Sequence, residues 1–114
     1  MPQVIDKETA LHYIWGENCD SWVLADTKGL CVKQESMPPG TKEQLHFHSV
    51  AQQFFFILKG TAFFYCEGEK EVVTSKKGIL IPAGTKHYIA NETNTELDFL
   101  VVSQPAIGND RMNC

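Results

Sequence analysis

The sequence lacks any apolar run long enough to cross a membrane as a helix. Its longest, Phe54-Phe55-Phe56-Ile57-Leu58, is five residues, against the roughly 20 that a spanning helix needs. It lacks a basic excess: 10 Lys and Arg stand against 14 Asp and Glu, for a formal net charge of −4. That argues against a nucleic-acid partner, which calls for a basic stripe; the densest basic pair, Lys76-Lys77, reads as a solvated turn. It lacks a Cys-x-x-Cys pair. Cys19, Cys31, Cys66 and Cys114 therefore read as free thiols of a reducing compartment, and a cytoplasmic location is expected. Met1 to Ala10 has neither an apolar core nor a basic lead, so it does not read as a signal peptide. Internal repeats, low-complexity tracts and long linkers are also missing.

What is present is a set of short β-prone runs. Apolar residues make up 43% of the chain, enough for a core. The length suits one domain over 1–114, with 1–20 as an N-terminal arm and 105–114 as a tail without periodicity. Strands are expected at Trp22–Ala25, Leu30–Met37, Gln44–His48, Gln53–Leu58, Thr61–Cys66, Glu71–Thr74, Gly78–Ile81, His87–Ala90 and Leu97–Ser103, separated by turn signals such as Pro38-Pro39-Gly40 and Glu67-Gly68. This spacing predicts an all-β sandwich or barrel. Only Lys7–Tyr13 hints at a helix. The run Phe54 to Leu58 is apolar on both faces, whereas a strand with one wet face alternates. One face is expected to line the interior. The other is expected to lie under a second sheet, the N-terminal arm or a partner subunit, which makes a homodimer the natural expectation.

Of the four histidines, three fall in two local patterns. His46 and His48 are two apart on a predicted strand, so their imidazoles project from one face as a bidentate pair for a divalent metal. Gln53 returns beside them after the turn at Ser49-Val50-Ala51. His87 arrives on a later strand, after a Pro82-Ala83-Gly84 turn in which Pro sets φ and Gly permits a positive one. A closed barrel brings all four inward.

The patterns Gly40-x5-His46-x-His48, Gln53, Gly60 and Pro82-x-Gly84-x2-His87-x3-Asn91 resemble the two cupin motifs over residues 40–91. Gly78 lies two residues closer to the proline than the pattern asks. The resemblance implies a double-stranded β-helix, the jelly-roll barrel, with metal ligands at His46, His48 and His87. The family's usual glutamate is Gln53 here. Gln52 stands at the shorter allowed spacing, and a three-histidine site without an amide is the remaining option.

Three neutral imidazoles and an amide suit Mn, Fe, Co, Ni, Cu or Zn and leave the ion its full charge. Anions are then attracted to its open positions, and Lewis-acid chemistry is favoured over oxygen activation. The expected function is a small-molecule enzyme of Lewis-acid isomerase or lyase type, or of dioxygenase type, acting on a small polar or anionic metabolite such as a sugar acid. The alternative is a non-catalytic sugar- or acid-binding barrel with a structural metal. The chain is similar to small cupins that open unsaturated uronic acids, but where those carry a catalytic acid on a late strand this sequence has Val101. Around the site, Phe55 and Phe63 are read first as core filling, with a place in the pocket lining as the alternative, and Phe47 is expected to point away. Glu35 is expected to be solvated, and Lys86 to sit at the surface. Tyr88 is assigned a structural role, Asn91 a turn-stabilising one, Trp15 and Trp22 a packing one, and His12 no ligating role.

Overall fold

The computed structural model describes residues 2–108 and 110–114. Eleven strands follow one another: β1 (Leu11–Trp15), β2 (Cys19–Asp26), β3 (Cys31–Met37), β4 (His46–His48), β5 (Gln52–Lys59), β6 (Thr61–Cys66), β7 (Glu69–Thr74), β8 (Gly78–Ile81), β9 (His87–Ala90), β10 (Leu97–Gln104) and β11 (Arg111–Asn113). They form two antiparallel sheets, β1-β2-β3-β10-β5-β8 and β11-β4-β9-β6-β7, the jelly roll that the strand spacing and the motif resemblance predict. Among the described residues no helix is long and apolar enough to cross a membrane.

Turn chemistry fixes the hairpins. Glu67 and Gly68 both have positive φ, 50° and 83°. Two such residues make the tight loop whose twist matches the flanking β6 and β7. Gly60 joins β5 to β6 at φ 90°, where a Cβ would meet the Glu96 carbonyl oxygen at 2.7 Å; only glycine fits.

The two sheets face each other across a core of Phe64, Phe99, Met37, Ile57, Leu97 and Ile89, all fully buried. On β3 the alternate residues Cys31, Lys33, Glu35 and Met37 share the inner face, and the register sets them against Ser103, Val101, Phe99 and Leu97 of β10. On β5 the inner face carries Gln53, Phe55 and Ile57.

Two expectations are corrected. Lys7–Tyr13 is not helical. Asp6 Oδ1 accepts from the amides of Glu8 and Thr9 at 3.0 and 3.1 Å, a cap-like turn, but from Leu11 onward the chain pairs with β2, and ladder bonds replace helical ones. The outer face of β5 is not covered by a second sheet or by the arm: Phe54 is 41% exposed, and Leu80, its register partner on β8, 54%. Within the tail, Arg111–Asn113 form a strand, β11, paired with β4.

Candidate metal centre

His46 and His48 sit on β4 and His87 on β9, with His46 and His87 directly opposite in the register. The backbone around them is pinned. Thr85 N donates to Pro82 O at 3.3 Å with Gly84 at φ 82°, a turn that needs glycine at its third position. Gly84 N donates to His48 O at 2.7 Å, tying this turn to the end of β4. The three rings lie 4.4 to 5.9 Å apart, centroid to centroid. One nitrogen from each falls within 4.8 Å of the others, and all three residues are buried.

Hydrogen bonding selects which nitrogens are available. His46 Nδ1 donates to Gln44 O, and His87 Nδ1 to Thr85 O, both at 2.8 Å. Each ring thereby presents an unprotonated Nε2, the second-shell arrangement that orients imidazole ligands. Among the described residues neither nitrogen of His48 has a hydrogen-bond partner, although both are buried, a costly state that an ion would relieve. Burial pushes His46 down to about 3 and His48 down to about 4, and lowers His87 as well, so all three rings are neutral at physiological pH.

Gln53 reaches the cluster from the opposite sheet. Its Nε2 donates to Ser103 Oγ at 3.1 Å, and its Oε1 lies 3.3 Å from His87 Nε2. With the His87 proton on Nδ1, that contact sets two acceptors against each other, a pairing that a shared cation satisfies. Gln52 instead points outward and donates to Gln104 Oε1 at 2.8 Å. The neutral N/O donor set, the selected tautomers and the orphaned His48 together fit a divalent transition ion.

The cluster opens on a cavity of about 900 Å³ between the sheets. Phe55 belongs to the core cluster and also lines the cavity, with its ring 6.5 Å from that of His87. Phe63 does not: Lys70 Nζ lies 4.8 Å over its ring on the outer face, and Phe64 packs on Phe55 at 5.0 Å instead. Glu35, expected in solvent, lines the cavity, and burial raises its pKa. Glu43 lines it too. Its Oε1 accepts from Ile89 N at 3.1 Å, and burial pushes it up to about 8 against the opposing pull of Arg111. The parity of Glu35 with Met37 on β3 points to the inner face; for Glu43, outside any strand, no such signal exists.

The remaining residues fall where expected. Asn91 is fully buried and organises a turn, its Nδ2 donating to Met37 O and Thr95 O at 2.9 and 2.8 Å. Tyr88 stacks on Tyr65 at 4.7 Å, Lys86 is exposed, and His12 bonds Asp20 at 2.7 Å, away from the cluster. Trp15 packs against the core, and Trp22 lies against His12 and under Lys7.

Residues 34–103 match the family described as Cupin domain. The chain is similar to a putative mannose-1-phosphate guanylyltransferase of Vibrio cholerae, 29% identical over 79 residues, which are 69% of this chain and 17% of that protein. It is also similar to the oxalate-binding protein of Thermotoga maritima, 32% identical over 66 residues, 58% of this chain and 54% of that one. The chain thus spans less than two thirds of either relative. Among solved structures, the polyketide cyclase RemF from Streptomyces resistomycificus superposes with a TM-score of 0.86 at 19% identity, covering 99% of this chain and 85% of that one, a likeness of fold.

Proposed function

The chain belongs to the cupin domain family, and from that premise we propose that it is a mononuclear divalent-metal protein acting as an enzyme on a small polar or anionic metabolite. His46, His48 and His87 would hold the ion, with the Gln53 amide oxygen as fourth donor. The observation that carries the reading is the buried His48 imidazole, both of whose nitrogens lack partners among the described residues, facing two tautomer-locked histidines and an open cavity.

A bound ion would supply Lewis acidity toward a carbonyl or hydroxyl oxygen. The chain's own side chains account for the rest. Gln44 O and Thr85 O hold the His46 and His87 rings in place. Phe55 and Val101 line the cavity with apolar surface and limit water. Glu43, pushed up to about 8 by burial, holds a proton near neutral pH and is available as a general acid; Glu35 faces the same space. Such groups favour turnover, in the isomerase or lyase class, over binding alone. The similarity to an oxalate-binding protein supports a second reading, a small-acid binder with a structural metal. The exposed apolar pair Phe54 and Leu80 supports a homodimer, and four unpaired cysteines suit a reducing, cytoplasmic setting.

The test is metal content of protein purified without a polyhistidine tag, with sedimentation velocity on the same samples. Expected are about one ion per chain, loss in His48→Ala, weaker retention in Gln53→Ala, and a dimer. A wild type that takes up none of Mn, Fe, Ni or Zn would overturn the metal reading.

A further inference from the structure

Of the three cations that line the cavity, Lys28, Lys33 and Arg111, the metal reading uses none, and the last two are positioned by side-chain hydrogen bonds. Lys33 sits on the inner face of β3, between Val23 of β2 and Val101 of β10 in the register. A charged side chain on such a face costs desolvation, yet among the described residues Lys33 has no ion-pair partner. Its Nζ donates to Tyr13 OH at 2.7 Å, which leaves two of its three N–H groups for the cavity. Burial opposes its charge, but the Tyr13 bond and nearby Glu35 outweigh that and raise its pKa; the ammonium is charged.

Arg111 enters from the other sheet. On β11 it lies directly opposite His48, and it lines the same cavity. Its Nε donates to Asn113 Oδ1 at 3.0 Å and its Nη2 to Gln44 O at 3.5 Å. Glu43 Oε2 stands 3.9 Å from Nη1, beyond hydrogen-bonding distance. The guanidinium therefore keeps uncommitted N–H groups, which suit the two or three oxygens of a carboxylate or phosphate.

We propose that Lys33 and Arg111, brought to one cavity from opposite sheets, recognise the oxyanion head group, carboxylate or phosphate, of the small molecule bound beside the three histidines. This rests on the reading of the barrel as a small-molecule site and adds to it the ligand's charge and the residues that select it. Three carboxyls line the cavity with these cations: Asp26, exposed like Lys28, and the half-buried Glu35 and Glu43. Burial pushes Glu43, the carboxyl nearest Arg111, up to about 8, and a protonated carboxyl donates to an oxyanion rather than repelling it; Glu35 is the counter-charge that helps to hold the Lys33 ammonium.

The test is titration calorimetry on metal-free and Mn-loaded protein with three probes: D-gluconate, inorganic phosphate, and D-sorbitol, the neutral polyol counterpart of gluconate. Gluconate or phosphate is expected to bind and sorbitol to fail. Whichever anion binds more tightly assigns the head group. Lys33→Met and Arg111→Gln should each weaken the anion by roughly ten-fold or more. Arg111→Lys, which keeps the charge, should restore part of the loss, and the surface variant Lys77→Met should change nothing. Thermal unfolding of each variant establishes that it is folded; if Arg111→Gln is not, Arg111→Lys and Lys33→Met decide. Equal anion affinity in wild type and in the folded variants would overturn the proposal, as would equal affinity for sorbitol. So would a wild type that holds metal yet binds neither anion at millimolar concentration, an outcome that leaves the metal reading standing. Anion binding that depends on Lys33 and Arg111 in protein unable to hold metal would do the reverse.

Discussion

The two ends of the barrel interior are built from the same strands and behave oppositely. At one end, Met37 of β3, Ile57 of β5 and Leu97 and Phe99 of β10 pack with Phe64 into a fully buried apolar layer. A few residues along those strands, the inward positions are Lys33 and Cys31, Gln53, and Val101 and Ser103, and they line an open cavity. The β3–β10 ladder is unbroken from one end to the other, so its backbone pairing does not distinguish them. The side chains do: one end excludes water and holds the fold, and the other keeps polar atoms unpartnered for something to bind.

That contrast can be broken from either side. Phe64→Ala, at the packed end, should cost the most stability, about 3 to 5 kcal/mol as for other buried aromatics, measured by urea unfolding. His48→Ala, at the open end, should cost metal-free protein less than about 1.5 kcal/mol, because the truncation also removes two buried nitrogens without partners. A penalty as large as that of Phe64→Ala would mean that the histidines are core. The smallest effect concerns the tail that closes the open end. The Asp110 carboxylate accepts from Ala51 N at 2.8 Å, Ser49 Oγ at 2.9 Å and Val50 N at 3.0 Å, and these donors, Ala51 first, hold its pKa below the ordinary value. A depressed carboxylate stabilises fully above its unfolded pKa of about 3.9. It loses that contribution as pH falls through the lower, folded value. The amide resonances of Val50 and Ala51 should therefore move only below about pH 4, and Asp110→Asn should abolish the step.

The packed end and the histidine centre were largely legible from the sequence, because both rest on local patterns. Period-two alternation places Phe55 and Ile57, the His-x-His spacing pairs His46 with His48, and the Pro-x-Gly turn aims His87. What was not legible depends on partners distant in the chain. Leu11–Trp15 follows a helix-like start, and only pairing with β2 makes it a strand. Arg111–Asn113 has no pattern of its own, and its strand exists because β4 offers an unpaired side. Phe63 and Phe64 cannot be told apart from the parity of Phe55, since parity does not carry across the Gly60 turn. The charged wall was hidden for a related reason: Lys33 and Glu35 look like solvent residues until β2 and β10 place their face inward.

β4 is only three residues long, and its pairing with β9 is limited to a single register pair, His46 with His87. Its other side is occupied along its whole length by β11. Detaching the tail would therefore leave the histidine-bearing strand as an open sheet edge, a template on which a second chain can add. The same few tail residues that carry Arg111 to the cavity thus also cover the edge of the strand that bears His46 and His48, and move the sheet's open edge one strand away from them.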